Sequence, residues 1–221
     1  VTGALESTHL VFPDAQVSAD LRTFTARARA TDDGAVRLQA SGTVLAAYVC
    51  MLRPAVLGEA IPTVLGLRTM PLAEPARVDV TVALASVSDR LARMRDDVVF
   101  AVPTTTLRQN WAGVLPPRSG WEPAGTLATD ALEEAARAGI ADVAGSLPDR
   151  AGALMVNNRR GTVWGRAIPG APAGLPAGAA FGAFALGFLA DGETPSLFTN
   201  GRWTRLSTSR GHVLVRAAAV L

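Results

Sequence analysis

The chain has 221 residues, 49% hydrophobic and 18% charged, and all 21 of its Lys+Arg residues are arginine. Without lysine it can build neither a Schiff-base enzyme nor a Walker A loop. One cysteine and two histidines leave no material for a structural zinc site, a Cys-x-x-Cys pair or an internal disulfide. The net charge of +2 is unevenly laid out: residues 1–149 hold 13 Arg against 17 Asp+Glu, and residues 150–221 hold 8 Arg against Asp191 and Glu193. Such asymmetry marks either an anion-facing surface or two parts of one fold that attract each other.

The length fits one or two domains, and the apolar share suffices for a core. Glu6, Asp14 and Asp20 leave no apolar leader in the first 20 residues, so a cytoplasmic protein is expected. Ala167 to Ala190 is uncharged and long enough to span a bilayer, but Pro169, Pro172 and Pro176 break it. The remaining Ala/Gly run fits a buried core helix, and no membrane partner is expected. The 41 alanines and the all-arginine basicity match the codon bias of a GC-rich genome.

In chain order, Ser18 reads as the cap of a first helix with Leu21, Phe24 and Ala28 on one face, stopped at Asp33-Gly34. Alternation at Val36, Leu38 and Ala40 predicts a strand, Ser41-Gly42 a turn, and Thr43 to Leu52 a second, buried strand. Thr63 to Met70 and Val78 to Leu84 read as two more. A short helix through Met94 carries Arg90, Arg93 and Arg95 toward solvent, and Val98 to Val102 is a short strand. Residues 103–126 lack periodicity, and Trp111 and Trp121 argue that they are ordered. Asp130 with Glu133 suggests a capping box opening a helix with the stripe Leu132, Ala136, Ile140, Val143 and Leu147 before Pro148. Leu154 to Val156 and Thr162 to Ile168 read as strands flanking an Asn157-to-Gly161 turn. After the Ala/Gly helix, Asn200-Gly201 reads as a two-residue hairpin loop that sets Phe198 opposite Trp203, and Ser209-Arg210-Gly211 turns into a last strand. The expected fold is α+β, a largely antiparallel sheet with helices packed on one side. It forms either one domain or an N-terminal lobe (1–105), an ordered Trp/Pro-rich connection (106–126) and a C-terminal lobe (127–221).

Catalytic candidates are few. Cys50 lies in an apolar strand and reads as core. His212 follows Ser207-Thr208-Ser209, and a Ser–His pair oriented by Asp191 is conceivable, but no Gly-x-Ser-x-Gly elbow supports it. His9 lies in a tail. Asp32-Asp33, Asp96-Asp97 and Glu133-Glu134 are adjacent pairs whose members point apart. No cofactor or metal is expected.

The residues with most chemistry are Arg159, Arg160, Arg166, Arg202, Arg205, Arg210 and Arg216, interleaved with Trp164 and Trp203. Guanidinium groups bind phosphate and stack on rings. Together with His212 they suggest a surface for an anion or an acidic partner, or for single-stranded nucleic acid; alternatively, they pair with acids of the N-terminal half. Trp111, Arg118 and Trp121 have the composition of an interface anchor, or else plug the seam between halves. Gly178-x-x-x-Gly182 can bring two helices close, within the fold or across a dimer. The reading that follows is a non-catalytic protein that binds a macromolecular partner, a protein or its own copy, as a homo-oligomer. The alternatives are nucleic-acid binding through the C-terminal hairpins, and an enzyme or ligand-binding protein whose arginines converge on an anion pocket.

Overall fold

A computed structural model describes residues 7–54, 59, 61–95, 97–146 and 152–218. The fold is α+β, as expected: five α-helices, a six-stranded antiparallel sheet and a small two-stranded sheet. The chain divides into two compact units, residues 1–49 with 67–114, and residues 50–66 with 115–221.

In the first unit, β1 (His9–Val11) pairs antiparallel with β4 (Val99–Ala101), setting Leu10 opposite Phe100, both fully buried. Between them in sequence lie α1 (Ala15–Thr31), most of β2 (Ala35–Leu52), most of β3 (Thr63–Ala83) and α2 (Leu84–Met94). The cap of α1 is Asp14, not Ser18: the Asp14 carboxylate accepts from the amides of Gln16 (2.8 Å) and Val17 (3.0 Å). Ser18 is buried inside the helix and donates to the Ala15 carbonyl. The face Leu21, Phe24 and Ala28 is buried as the spacing predicts.

The predicted turn at Ser41-Gly42 is absent, and the two strands read on either side of residues 71–77 are one. β2 runs unbroken through Ser41-Gly42, with Gly42 at φ +61°, and β3 runs through both Pro71 and Pro75. A proline ends a strand only where its missing N–H is needed by a neighbour, and each pair of predicted short strands is therefore one long strand.

The second unit holds the ends of β2 and β3 together with β5 (Glu122–Thr126), α3 (Thr129–Gly145), α4 (Ala153–Gly165), α5 (Ala177–Ala185), β6 (Ser196–Asn200), β7 (Trp203–Thr208) and β8 (Gly211–Arg216). Its sheet order runs β3-β8-β7-β6-β5. α3 has Ala128 at its cap with no side-chain hydrogen bond, so the Asp130/Glu133 box does not form; Glu133 instead takes Arg137 one turn on, at 2.8 Å. Leu132 and Ala136 are buried as the stripe predicts, whereas Ile140 is exposed. Leu147 and Pro148 lie outside the described residues.

The predicted hairpin of 154–168 is a helix. α4 passes straight through Asn157 to Gly161, because its partners reward the helical conformation. Trp164 is buried and stacks on Phe181 of α5, with ring centroids 4.4 Å apart. A side chain at Gly139 of α3 would collide with the Trp164 ring, and one at Gly178 would lie 2.9 Å from the Trp164 carbonyl. Gly178 thus serves close helix approach inside this unit. Ala179, Ala180 and Ala183 of α5 are fully buried, so this face of the Ala/Gly helix belongs to the core of the unit.

Candidate partner-binding surface

The strands β6, β7 and β8 build the best-defined cluster of functional groups. Gly201-Arg202 forms the two-residue loop between β6 and β7, with Gly201 at φ +55° and Asn200 opposite Trp203. This Gly-x loop fits a II′ hairpin and shifts the register by one residue from that expected for Asn200-Gly201. Phe198 therefore faces Arg205 and not Trp203. Arg205 in turn faces Leu214 of β8, and Trp203 faces Arg216.

Because side chains alternate along a strand, Phe198, Arg205 and Leu214 share one side of the sheet with Trp203, Arg216, Ser207 and His212. On the other side Leu197, Leu206 and Val213 are fully buried, and Gly182 of α5 lies against Val213. Leu214 and Trp203 are buried too, so the Arg205 side is left partly open at Phe198, Arg205, His212 and Arg216.

The Arg205 guanidinium carbon stands 4.6 Å from the centroid of the Phe198 ring and 4.7 Å from that of Trp121, which precedes β5. Trp121 is held by its indole N–H on the Pro117 carbonyl (3.0 Å), and Asn200 ties the same loop by donating to the Ser119 carbonyl (2.8 Å). The Nε of Arg205 is buried and has no hydrogen-bond partner. Burial holds its pKa below the ordinary arginine value, yet a guanidinium remains charged at any physiological pH. Two aromatic faces stabilise the cation through their quadrupoles. Residues 194–221 contain Arg202, Arg205, Arg210 and Arg216 and no acid.

The seven arginines do not act as one group. Arg159 (2.5 Å) and Arg166 (2.9 Å) both bind Asp142 of α3, and Arg159 also donates to Ser146. Arg160 shares α4 with Arg159 and is half-buried. Arg202 donates to the Ala217 carbonyl at 2.7 Å, and Arg210 to that of Leu189 at 3.1 Å. The convergence that an arginine-lined anion pocket requires is replaced by separate local commitments. The rings of Trp121 and Phe198 each carry the Arg205 guanidinium on one face.

The remaining candidates are quickly placed. His212 Nδ1 and Ser207 Oγ are 3.0 Å apart as register partners in the β7–β8 ladder, and Glu193 binds the amide and hydroxyl of Ser209. Cys50 is half-buried with its thiol on the Leu52 carbonyl. His9 lies in β1 rather than in a tail. Trp111 belongs to the first unit and is 5% exposed, so it is no surface anchor; Arg118 is exposed and Trp121 half-buried. Among the described residues no three His, Cys, Asp or Glu side chains group to hold a metal ion. Among them, too, no helix is long and apolar enough to cross a membrane. Sequence reasoning named Trp121, Phe198 and Arg205 without joining them. The Gly-x loop preference at Gly201-Arg202 was the signal that would have done so.

Two family models match the chain: residues 6–113 match a domain of unknown function, DUF8010, and residues 116–220 match a second, DUF8185. None of the curated proteins matches the sequence. Among solved structures the chain is similar to a putative DNA polymerase III beta subunit from Eubacterium rectale (TM-score 0.57, 8% identity), covering 97% of this chain and 66% of that one. It is also similar to the DNA polymerase sliding clamp of Caulobacter crescentus (TM-score 0.53, 13% identity, 97% and 66% covered). The DNA polymerase III subunit beta of Pseudomonas aeruginosa is a third (TM-score 0.51, 10% identity, 96% and 65% covered). The chain thus spans just under two thirds of the length of each. Its fold is similar to that of about two thirds of a sliding-clamp subunit.

Proposed function

We propose that the chain is a non-catalytic cytoplasmic protein that self-associates into a clamp and holds a macromolecular partner. The observation that carries this reading is the extent of the likeness: it runs over 97% of the chain, not over one unit. One of the similar structures is the DNA polymerase sliding clamp of Caulobacter crescentus, and DNA contact is the corresponding expectation here. A clamp has to close around what it holds. Closure by copies of one chain is the commonest symmetric arrangement among soluble oligomers.

The partner-facing element of this reading is the Arg205 side of the β6–β8 sheet, with Arg202 at its turn and Arg216 diagonal to Arg205. A guanidinium fixed between two rings is preorganised and loses little freedom when it donates to a carboxylate. An acidic segment of a partner protein therefore fits this side of the sheet.

The test is the mass in solution by light scattering across a hundredfold range of protein concentration. A mass that stays at one chain, 22.9 kDa, throughout that range overturns the clamp reading. A discrete oligomer is the expected result.

A further inference from the structure

Asparagine is scarce in this chain, which has it only at Asn110, Asn157, Asn158 and Asn200. Asn157 and Asn158 lie inside α4, where the amides that follow them are engaged by the helix. Asn110 opens a short 3-10 turn and is followed by the bulky Trp111. Asn200 differs from all three. It is half-buried at the end of β6, and the next residue is glycine. The last β6–β7 pair is Asn200 with Trp203, so the Gly201 amide lies beyond the ladder, in an exposed loop with Gly201 at φ +55°. With no Cβ, Gly201 leaves its amide nitrogen open to the side chain before it.

The Asn200 side chain also makes a long-range contact. Its Nδ2 donates to the Ser119 carbonyl at 2.8 Å, and a Cβ on Gly120 would stand 3.1 Å from the same nitrogen. That bond ties the end of β6 to the loop carrying Trp121, whose ring centroid is 4.7 Å from the Arg205 guanidinium carbon.

We propose that Asn200 is a self-modification site, at which the side-chain amide is converted to a carboxylate through a cyclic imide formed with Gly201. The Gly201 amide nitrogen, its proton lost to water, attacks Asn200 Cγ. The new N–C bond closes a succinimide ring, and the Cγ–Nδ2 bond breaks as Nδ2 takes a proton from water and leaves as ammonia. Water then opens the ring at either carbonyl. Opening at Cγ leaves aspartate; opening at the backbone carbonyl leaves isoaspartate, with the chain continuing through the side chain. Nothing is oxidised or reduced, and water is the only co-reactant.

Local charge favours the first step. Residues 194–221 hold four arginines and no acid, and Arg202 adjoins Gly201, so the transient negative charge on the amide forms in a positive field. The product cannot keep the bond that Asn200 made. An asparagine amide has donors to offer, whereas an ionised aspartate only accepts, and its oxygen would face the Ser119 carbonyl oxygen. The reaction therefore releases the Trp121 loop from β6 and places a first acid among the hairpin arginines. It depends on the hairpin geometry and not on the clamp reading.

The experiment incubates the full chain at neutral and at mildly alkaline pH and follows its tryptic peptides by mass. The peptide ending at Arg202 should gain the mass of an amide-to-acid conversion and split into aspartate and isoaspartate forms, faster at the higher pH. Peptides carrying Asn110, Asn157 and Asn158 should stay unmodified over the same time. An Arg202 peptide that stays unmodified overturns the proposal, as does one converted no faster than the other three. Conversion to aspartate alone overturns it too, since direct hydrolysis without the ring gives no isoaspartate. The release of the loop is read separately in Asn200→Asp. Tryptophan emission should shift to the red, and the shift should be lost when Trp121→Phe is added. Unchanged emission in Asn200→Asp would mean that the Ser119 bond does not hold the loop, and that half of the proposal would fall.

Discussion

The first unit and the β6–β8 hairpins use the same side chain in opposite ways. The first unit has 10 Arg and 10 Asp+Glu, and its arginines find carboxylates: Arg29 with Asp33, Arg37 with Asp79, Arg68 with Asp20. The hairpin segment 194–221 has four Arg and no acid. There Arg202 and Arg210 go to carbonyls, and Arg205 goes between two rings. Composition alone forces the contrast, since a guanidinium without a local carboxylate must be held by dipoles, quadrupoles or a partner. A cation paired internally stabilises its own unit, whereas one held only by rings keeps most of its charge for something else.

The largest expected effect tests the paired half. Arg37 grips Asp79 with two bonds of 2.7 and 2.8 Å and donates a third to the Ala112 carbonyl, while Gln39 adds a contact to the same carboxylate. Arg37 is only 17% exposed at its side chain, though Asp79 is 42% exposed and partly screened by water. Arg37→Ala should cost about 1–2 kcal/mol in denaturant unfolding. Arg37→Lys should recover little of it, because an ammonium cannot reproduce the fork. Equal stability of wild type and Arg37→Ala would remove the claim that pairing stabilises the first unit.

The hairpin half predicts a different pattern at Arg205. Truncation to Ala takes the cation from both rings and the stem from the sheet, for a loss of about 1 kcal/mol. Arg205→Met keeps the stem against Trp121 and Phe198 and removes the buried, unpartnered Nε. It should therefore be nearly neutral or slightly stabilising. Met falling as far as Ala would mean that the charge itself supports the fold, and the two regions would then not differ in kind.

How much of this was legible depended on whether local pattern or tertiary pairing decided each element. The α1 face, the β2 alternation at Val36, Leu38 and Ala40, and the α2 helix were readable because burial on one side writes a period into the chain. β3 was not, since whether Pro71 and Pro75 break a strand depends on what lies beside it. Nor was α4, where Asn157-Asn158-Arg159-Arg160-Gly161 has turn composition. It is helical because Trp164 finds Phe181 and Gly161 packs against Ile61, and tertiary contacts of that kind override weak propensity. The arginine surplus after residue 149 was visible. Its geometry was not, because a single residue of hairpin register decides whether Phe198 meets Trp203 or Arg205.

The smallest effect belongs to the most exposed pair and marks the limit of the contrast. Arg29 and Asp33 are one turn apart at the end of α1, with side chains 36% and 51% exposed. The hydrogen bonds from Arg29 hold the Asp33 carboxyl below its ordinary pKa. A carboxylate whose pKa is lower in the folded chain adds stability that is fully present above its unfolded value. That contribution fades as pH falls through the folded value, that is, from the ordinary carboxylate range near 4 downward. Wild type should exceed Asp33→Asn slightly at neutral pH and low salt. The two should converge both in acid below that range and in high salt at neutral pH, since exposed pairs are screened. An advantage that survives high salt undiminished would show that Asp33 acts as more than a counterion to Arg29. Exposed pairing would then count, like the Arg37 pair, among the forces that set the first unit apart from the hairpins.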